Sequence, residues 1–282
     1  SFQDIPVKRL DDLADEDRET PFILFTMSST LYWELRNMLV EMGFNGDNIL
    51  SSGDVFFDGM RDRLKSFGLT LDPAHYEFVQ TANALLGIDN HSSSMGSAIL
   101  LAMQAATKQS GGALAELGVF RGGNAFSVCL ANMLMGDPRN YYLIDSFDGF
   151  PELSEHDPAE SAGLFRDNSY EEIVRTFGHF PRAKVLRGYV PDILSELSEE
   201  RYSVVYYDCD LHDPAEASLD YFWPKLDVGG YFFIAIMPAS RVKLGCLCRL
   251  VNVNNYTFKM IIEGLIYLFL HRIGQGHKPG LY

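Results

Sequence analysis

ALAELGVFRGGNAFSVCL, residues 113–130, is an apolar run, a glycine-bearing turn and an amphipathic segment in immediate succession. The spacing predicts a buried strand over 113–119, a tight turn over 120–123 and a helix over 124–133. Gly118, Gly122 and Gly123 leave the backbone open to close approach by a ligand, and the start of the helix offers N–H groups that have no intrahelical partner to a carboxylate or phosphate. An ordinary strand-to-helix corner carries similar glycines, so the following strand has to discriminate. Residues 141–144 are again apolar and end in Asp145, 29 residues beyond Glu116. That is where the second strand of a doubly wound sheet should end, and an acid there can accept both hydroxyls of a ribose.

The rest of the chain fits an α/β reading. A strand is expected over residues 22–26 and a helix from Ser29 or Thr30 to about Met42, with a further strand beginning at Ile49 and Leu50. This βαβ-like fragment makes residues 1–70 an N-terminal α/β extension ahead of a main domain spanning 71–282. Residues 54–68 carry an aromatic stripe at helical spacing, of the kind that fills cores. Helices are expected over 73–86 and 95–108, ahead of the central strand. Residues 152–170 are polar and long for a connection, which suggests a lid. Beyond them come a helix over 171–177, a strand over 184–186, the turn at Gly188 and Tyr189, and a helix over 193–197. Residues 203–208 form an apolar run typical of a strand covered on both faces. A helix over 214–223 has Pro inside its first turn, and Gly229-Gly230 turn the chain into a strand over 231–236.

Composition excludes more than it selects. The chain has 282 residues and a formal net charge of −15. A nucleic-acid backbone or an anionic membrane rewards clustered Lys and Arg, so neither is expected as a partner. No apolar run reaches the ~20 residues that span a bilayer. Four cysteines make no disulfide framework in a chain this long, and a reducing, cytoplasmic setting follows. Cys246 and Cys248 could be half of a metal site, but no second Cys or His pair has zinc-ligand spacing, so no metal site is expected there. The tail changes character: residues 228–282 hold one acid, Glu263, against six Lys and Arg. Residues 257–262 and 265–270 flank Glu263-Gly264 as the arms of a β-hairpin. Two accounts fit this tail, a basic edge hairpin packed in a homo-oligomer or sequence foreign to the fold.

Three blocks, ELGVFRGGNAF (116–126), LIDSFDGFPE (143–152) and VVYYDCDLHDPAEASLDYFWPKLDVGGYFFI (204–234), resemble the macrocin O-methyltransferase family. That resemblance covers about half the chain. It implies the doubly wound, Rossmann-like sheet of class I methyltransferases with a closing antiparallel hairpin, S-adenosylmethionine (SAM) as cofactor, and methyl transfer to a hydroxyl, commonly on a sugar. Glu116 with Gly118, Phe120, Arg121, Gly122 and Gly123 would then hold the methionine end of the cofactor and Asp145 the ribose. Ser146 follows in the same turn, and Phe147, Gly188 and Tyr189 would wall the adenine.

Asp208 and Asp210 close the strand that faces the same crevice, with His212 close behind. The resemblance makes Asp208 the base that takes the acceptor proton and Asp210 a ligand to Mg²⁺, together with a pair of aspartates after the next strand. Ala235 and Ile236 stand where that pair should be. A single carboxylate holds Mg²⁺ poorly, so metal use is in question. Two readings stay open: an active O-methyltransferase acting on a small sugar-bearing acceptor of natural-product biosynthesis, or a silent relative that binds a sugar or a partner protein. A third possibility concerns Asp208 and Asp210 alone, which could simply cap the helix that follows them.

Overall fold

The computed structural model describes residues 17–19, 22–24, 29–51, 61, 64–65, 68–87, 91–150, 153–155, 157, 159–197, 200–236, 257–262 and 265–272. Among these, β1 (Phe22–Leu24), α1 (Ser29–Glu41) and β2 (Ile49–Ser51) form a small unit in which the two strands pair in parallel. Leu39, Phe44 and Ile49 make its core. The larger unit begins with α2 (Pro73–Leu86) and α3 (His91–Ala106) and continues with β3 (Ala113–Leu117), α4 (Gly123–Met135) and β4 (Tyr141–Asp145). Then follow α5 (Tyr170–Phe177), β5 (Ala183–Arg187), β6 (Tyr202–Tyr207), α6 (His212–Phe222), β7 (Leu226–Ile236), β8 (Thr257–Ile262) and β9 (Leu265–His271).

Seven of these strands form one sheet in the order β5-β4-β3-β6-β7-β9-β8. The first five are parallel, while β9 runs antiparallel to β7 and β8 antiparallel to β9. The expected closing hairpin is therefore present, and its strands continue the sheet register from Tyr231↔His271 onward. Chain order reverses between β3 and β6. In open parallel sheets a ligand crevice lies at such a reversal, outside the carboxyl ends of the strands.

Both faces of the sheet are covered, which is why β3 and β6 are buried along their whole length. Strand parity divides the core in two. Leu114, Leu143, Val204, Tyr206 and Phe233 face a layer that includes Val79 of α2, Ile99 and Met103 of α3, Val128 of α4 and Phe177 of α5. Ala115, Ile144, Val205, Tyr207 and Phe232 face Ile193, Leu219 and Phe222. Leu64, Leu69 and Leu71 also pack into the first layer, so the larger core takes in residues on both sides of position 70.

The sequence expectations need three adjustments. The segment expected as a helix over 193–197 is a 3₁₀ turn, Asp192–Glu196. Helix α3 starts at His91, four residues before the expected Met95. Gly229 and Gly230 lie inside β7, not before it, and the β6–β7 register shifts between Tyr202 and Val204. Gly229 has φ +86°, so two glycines here make an irregularity that a strand absorbs. Within the long connection of 152–170 lies a 3₁₀ turn, Ala159–Ser161. The aromatic stripe of 54–68 (apart from residues 61, 64, 65 and 68), the Glu263-Gly264 turn and the Cys246/Cys248 pair lie outside the described residues.

Candidate active site

The corners after β3, β4, β5 and β6 are laced together by backbone hydrogen bonds that run on past the strands. Gly118 donates to Ile144 O (2.9 Å), Gly188 to Asp145 O (2.9 Å) and Asp208 to Leu117 O (2.8 Å). This brings Glu116, Gly118, Phe120, Gly122, Gly123, Asp145, Ser146, Gly188, Asp208 and Asp210 to one end of the sheet.

The glycines have packing reasons of their own. A Cβ at Gly118 (φ +89°) would sit 2.3 Å from Asp208 O, so the β3 corner touches the β6 corner backbone to backbone. At Gly122 (φ +82°) it would meet the Phe177 ring at 2.7 Å, and at Gly188 it would meet Ile193 at 2.7 Å. Each of these three glycines therefore has a neighbour within the fold that a side chain would displace. Gly122 is also the left-handed N-cap of α4, whose first residue is Gly123.

Asp145 ties two turns together. Its Oδ2 accepts from Phe120 N (2.8 Å) and its Oδ1 from Phe147 N (2.7 Å). Each carboxylate oxygen has a second lone pair, so two further hydroxyls can still be accepted. The Ser146 hydroxyl donates to Gly149 O (2.8 Å) and closes its own turn. Phe147 is a core residue, buried against Tyr170 with ring centroids 5.3 Å apart. Its apolar ring is worth more inside than as an exposed wall. Arg121 points outward, ion-paired with Asp167 and lying over the Phe120 ring. Tyr189 is half-buried.

Phe120, Phe147 and Asp210 all adopt left-handed backbone (φ +50°, +55° and +55°). Side chains seldom take that region without glycine, and such strain concentrates where a structure is held for function. The three positions follow β3, β4 and β6.

Glu116 sits below the corner, on the face shared with α4. It is 1% exposed, accepts a hydrogen bond from the Tyr141 hydroxyl at Oε2, and has no hydrogen-bond partner for Oε1 among the described residues. Burial pushes its carboxyl up to about 8, against the Tyr141 hydrogen bond and with help from Asp145. Asp208 is also pushed well above the carboxylate range, first by burial, then by Asp210 and Glu116, with the Tyr206 hydroxyl opposing. A buried corner crowded with acids favours a cation.

His212 opens α6. Its N–H donates to Asp157 Oδ1 (2.8 Å), and its ring Nδ1 lies 2.8 Å from Asp213 Oδ1. The N-cap residue of α6 is Leu211, with no side-chain cap. Neither Asp208 nor Asp210 is the N-cap residue of this helix. Asp157 bonds its first N–H, and Asp157 also accepts from Ser154 N and Oγ (2.9 and 2.8 Å). The long connection thus reaches the β6 corner. At its other end Phe165 packs on both Phe120 and Phe150, 5.3 and 5.2 Å between centroids. Nothing in the sequence pointed to Asp157. Tyr206 and Tyr141, also missed, follow from strand parity and register once the sheet is known.

Among the described residues no three His, Cys, Asp or Glu side chains converge as metal ligands. Ala235 and Ile236 continue β7 and pair with Tyr267 and Ile266. The donors among the described residues do not make up a Mg²⁺ site, and no step is assigned to a metal.

Residues 95–243 match the macrocin-O-methyltransferase (TylF) family. The demethyldecarbamoylnovobiocin O-methyltransferase of Streptomyces niveus is 29% identical over 137 residues, 44% of this chain and 52% of that protein. A second relative, the 8-demethyl-8-(2,3-dimethoxy-alpha-L-rhamnosyl)-tetracenomycin-C 4'-O-methyltransferase of Streptomyces olivaceus, is 27% identical over 135 residues, 44% of this chain and 52% of that protein. The chain spans about half the length of these relatives. The solved O-methyltransferase NovP shares the fold, with a TM-score of 0.50 and 22% identity over 62% of this chain and 79% of that one.

Proposed function

The chain belongs to the macrocin-O-methyltransferase family, and we propose that it transfers a methyl group from SAM to a hydroxyl of a sugar carried by a small natural product. The observation that carries the reading is Glu116, a buried carboxyl with one oxygen unpartnered among the described residues. SAM carries an ammonium and a sulfonium, and either charge would relieve the crowded acids of this corner. Its role is to supply an electrophilic methyl group on that sulfonium.

The protein's own residues then have three tasks. Glu116 would hold the ammonium, and Asp145 would accept from the ribose hydroxyls through its free lone pairs. Asp208 would take the proton of the acceptor hydroxyl as the new O–C bond forms and the S–C bond breaks. A carboxylate with an ordinary pKa is a weak base for an alcohol. Burial and neighbouring acids raise Asp208 above the carboxylate range, and a raised pKa makes its ionised form a stronger base toward the alcohol. The long connection, tied to Phe120 through Phe165 and to α6 through Asp157, would keep water from the reacting atoms.

The relatives' names support the acceptor class, because one names an O-methyltransferase of demethyldecarbamoylnovobiocin and the other a 4'-O-methyltransferase of a rhamnosyl-tetracenomycin. We extend the proposal to two units, with the methyltransferase unit including Leu64 and the βαβ unit of 22–51 preceding it. No helix among the described residues is long and apolar enough to cross a membrane, and we place the enzyme in the cytoplasm. The test is incubation with labelled SAM and a panel of nucleotide-linked and aglycone-linked rhamnosides, with catechol as control. Methylated sugar is expected. SAM binding without transfer to any sugar would favour the silent relative, and no SAM binding would refute both.

A further inference from the structure

Residues two apart on a strand share a face, so Tyr206 and Asp208 leave β6 on the same side. Tyr206 is buried, and its ring stacks on Phe233 with centroids 5.0 Å apart and planes 19° from parallel. That leaves the ring no freedom to swing within the sheet face. Its hydroxyl lies 3.4 Å from Asp208 Oδ2. Across from it stands α3. A Cβ at Gly96 would lie 2.5 Å from the Tyr206 hydroxyl and 3.5 Å from Cζ. A glycine inside a helix is usually a liability, and here it leaves a slot for that hydroxyl. The slot is held in place: Ser97, the next residue, donates to Asn124 on α4, and Asn124 Nδ2 is 3.7 Å from the same point.

We propose that Tyr206 is a positioning residue, its hydroxyl passing through the gap at Gly96 to orient the Asp208 carboxyl toward the acceptor. The inference rests on the reading of Asp208 as the base. Among the described residues the groups that act on Asp208 are Asp210 on its own corner, Glu116 on β3 and Tyr206 on β6; Gly96 on α3 brings no side chain. Glu116 stands opposite Tyr206 in the β3–β6 register. Both acids oppose an ionised Asp208, and the Tyr206 hydroxyl donates to it and favours it. A 3.4 Å separation is long for O–H···O, and such contacts shorten once the reacting complex assembles.

Two variants approach the hydroxyl from opposite sides. Tyr206→Phe removes it and keeps the stacked ring, while Gly96→Ala pushes it out of its slot. The full chain is saturated with S-adenosylhomocysteine, and the Asp208 carboxyl is followed by carbon-13 NMR against pH, assigned by its loss in Asp208→Asn. In Tyr206→Phe the midpoint should rise by roughly one pH unit, as for loss of a hydrogen bond to a charged group. Gly96→Ala should move it the same way. With SAM and a nucleotide-linked rhamnose, kcat should fall about 10-fold or more, with KM for SAM unchanged and the acid limb of the rate profile displaced upward. An unmoved midpoint in Tyr206→Phe, whatever its melting temperature, overturns the proposal. A moved midpoint combined with full turnover in Asp208→Asn overturns the base assignment, and the positioning role falls with it.

Discussion

Glu116→Gln tests whether the buried carboxyl receives a cation. In the free protein Glu116 has its pKa pushed up to about 8 by burial, so at pH 7 roughly nine-tenths of it is protonated. Pairing with the cofactor's ammonium requires the ionised form. One unit below its pKa, removing the proton costs about 1.4 kcal/mol, a tenfold loss in apparent affinity. At pH 6 the cost is about 2.7 kcal/mol, or a hundredfold. SAM affinity should therefore rise about tenfold per pH unit between 6 and 7 and level off above 8. Binding at pH 7 should release close to one proton. Calorimetry in two buffers of different ionisation enthalpy measures both quantities. Glu116→Gln should abolish the proton release and flatten the pH dependence, with the plateau affinity lower by roughly 1.5–3 kcal/mol, the worth of a charged hydrogen bond. The linked stability has a definite sign. The folded pKa lies above the unfolded value near 4.5, so the stabilising contribution of this group is complete below that value. It is lost as pH rises through about 8. Cofactor affinity that is flat from pH 6 to 9, with no proton released, would refute the reasoning.

Asp208→Asn should cut turnover by roughly 100-fold or more while SAM affinity and melting temperature hold; normal turnover removes it as the base. The buried pair Arg139–Asp137 (2.6 Å, each side chain 1% exposed) ties the end of α3 to β6 through Thr107, Gln104 and Ser203. Arg139→Met should cost about 3–5 kcal/mol in denaturant unfolding, and a loss below about 1 would show the network to be dispensable. Burial alone would raise Asp137, but hydrogen bonds from Arg139 win and hold it low. Its stabilising contribution is therefore present above the unfolded carboxylate pKa and lost as pH falls through the lowered folded value. Gly118→Ala combines a left-handed φ with a Cβ 2.3 Å from Asp208 O and should destabilise by about 2 kcal/mol or more; a neutral effect on the melting temperature would mean that the two corners part easily.

How much was legible in sequence depends on the range of the interaction involved. Strand, turn and helix at 113–135 follow from apolar spacing and glycine placement, which are local, and so do α2 and the hairpin arms at 257–262 and 265–271. The acids Asp145, Asp208 and Asp210 were visible because the ends of apolar runs mark where a parallel sheet opens its crevice, whereas Glu116, inside the β3 run, entered through the family resemblance. The reasons behind the glycines were not visible. Gly118 answers to the Asp208 backbone, Gly122 to Phe177 and Gly188 to Ile193, partners that only the packed sheet and its helices bring within reach. Phe147, expected beside the adenine, is buried and packs on Tyr170, a partner that sequence spacing does not reveal. Asp157 reaches the first N–H of α6 from 55 residues away, across a connection with no periodicity to read. Charge is likewise a matter of surroundings. The Glu116 carboxyl is ordinary in an extended chain, yet burial and the neighbouring Asp145 push it up to about 8, because desolvation and neighbours belong to the tertiary structure and composition records neither.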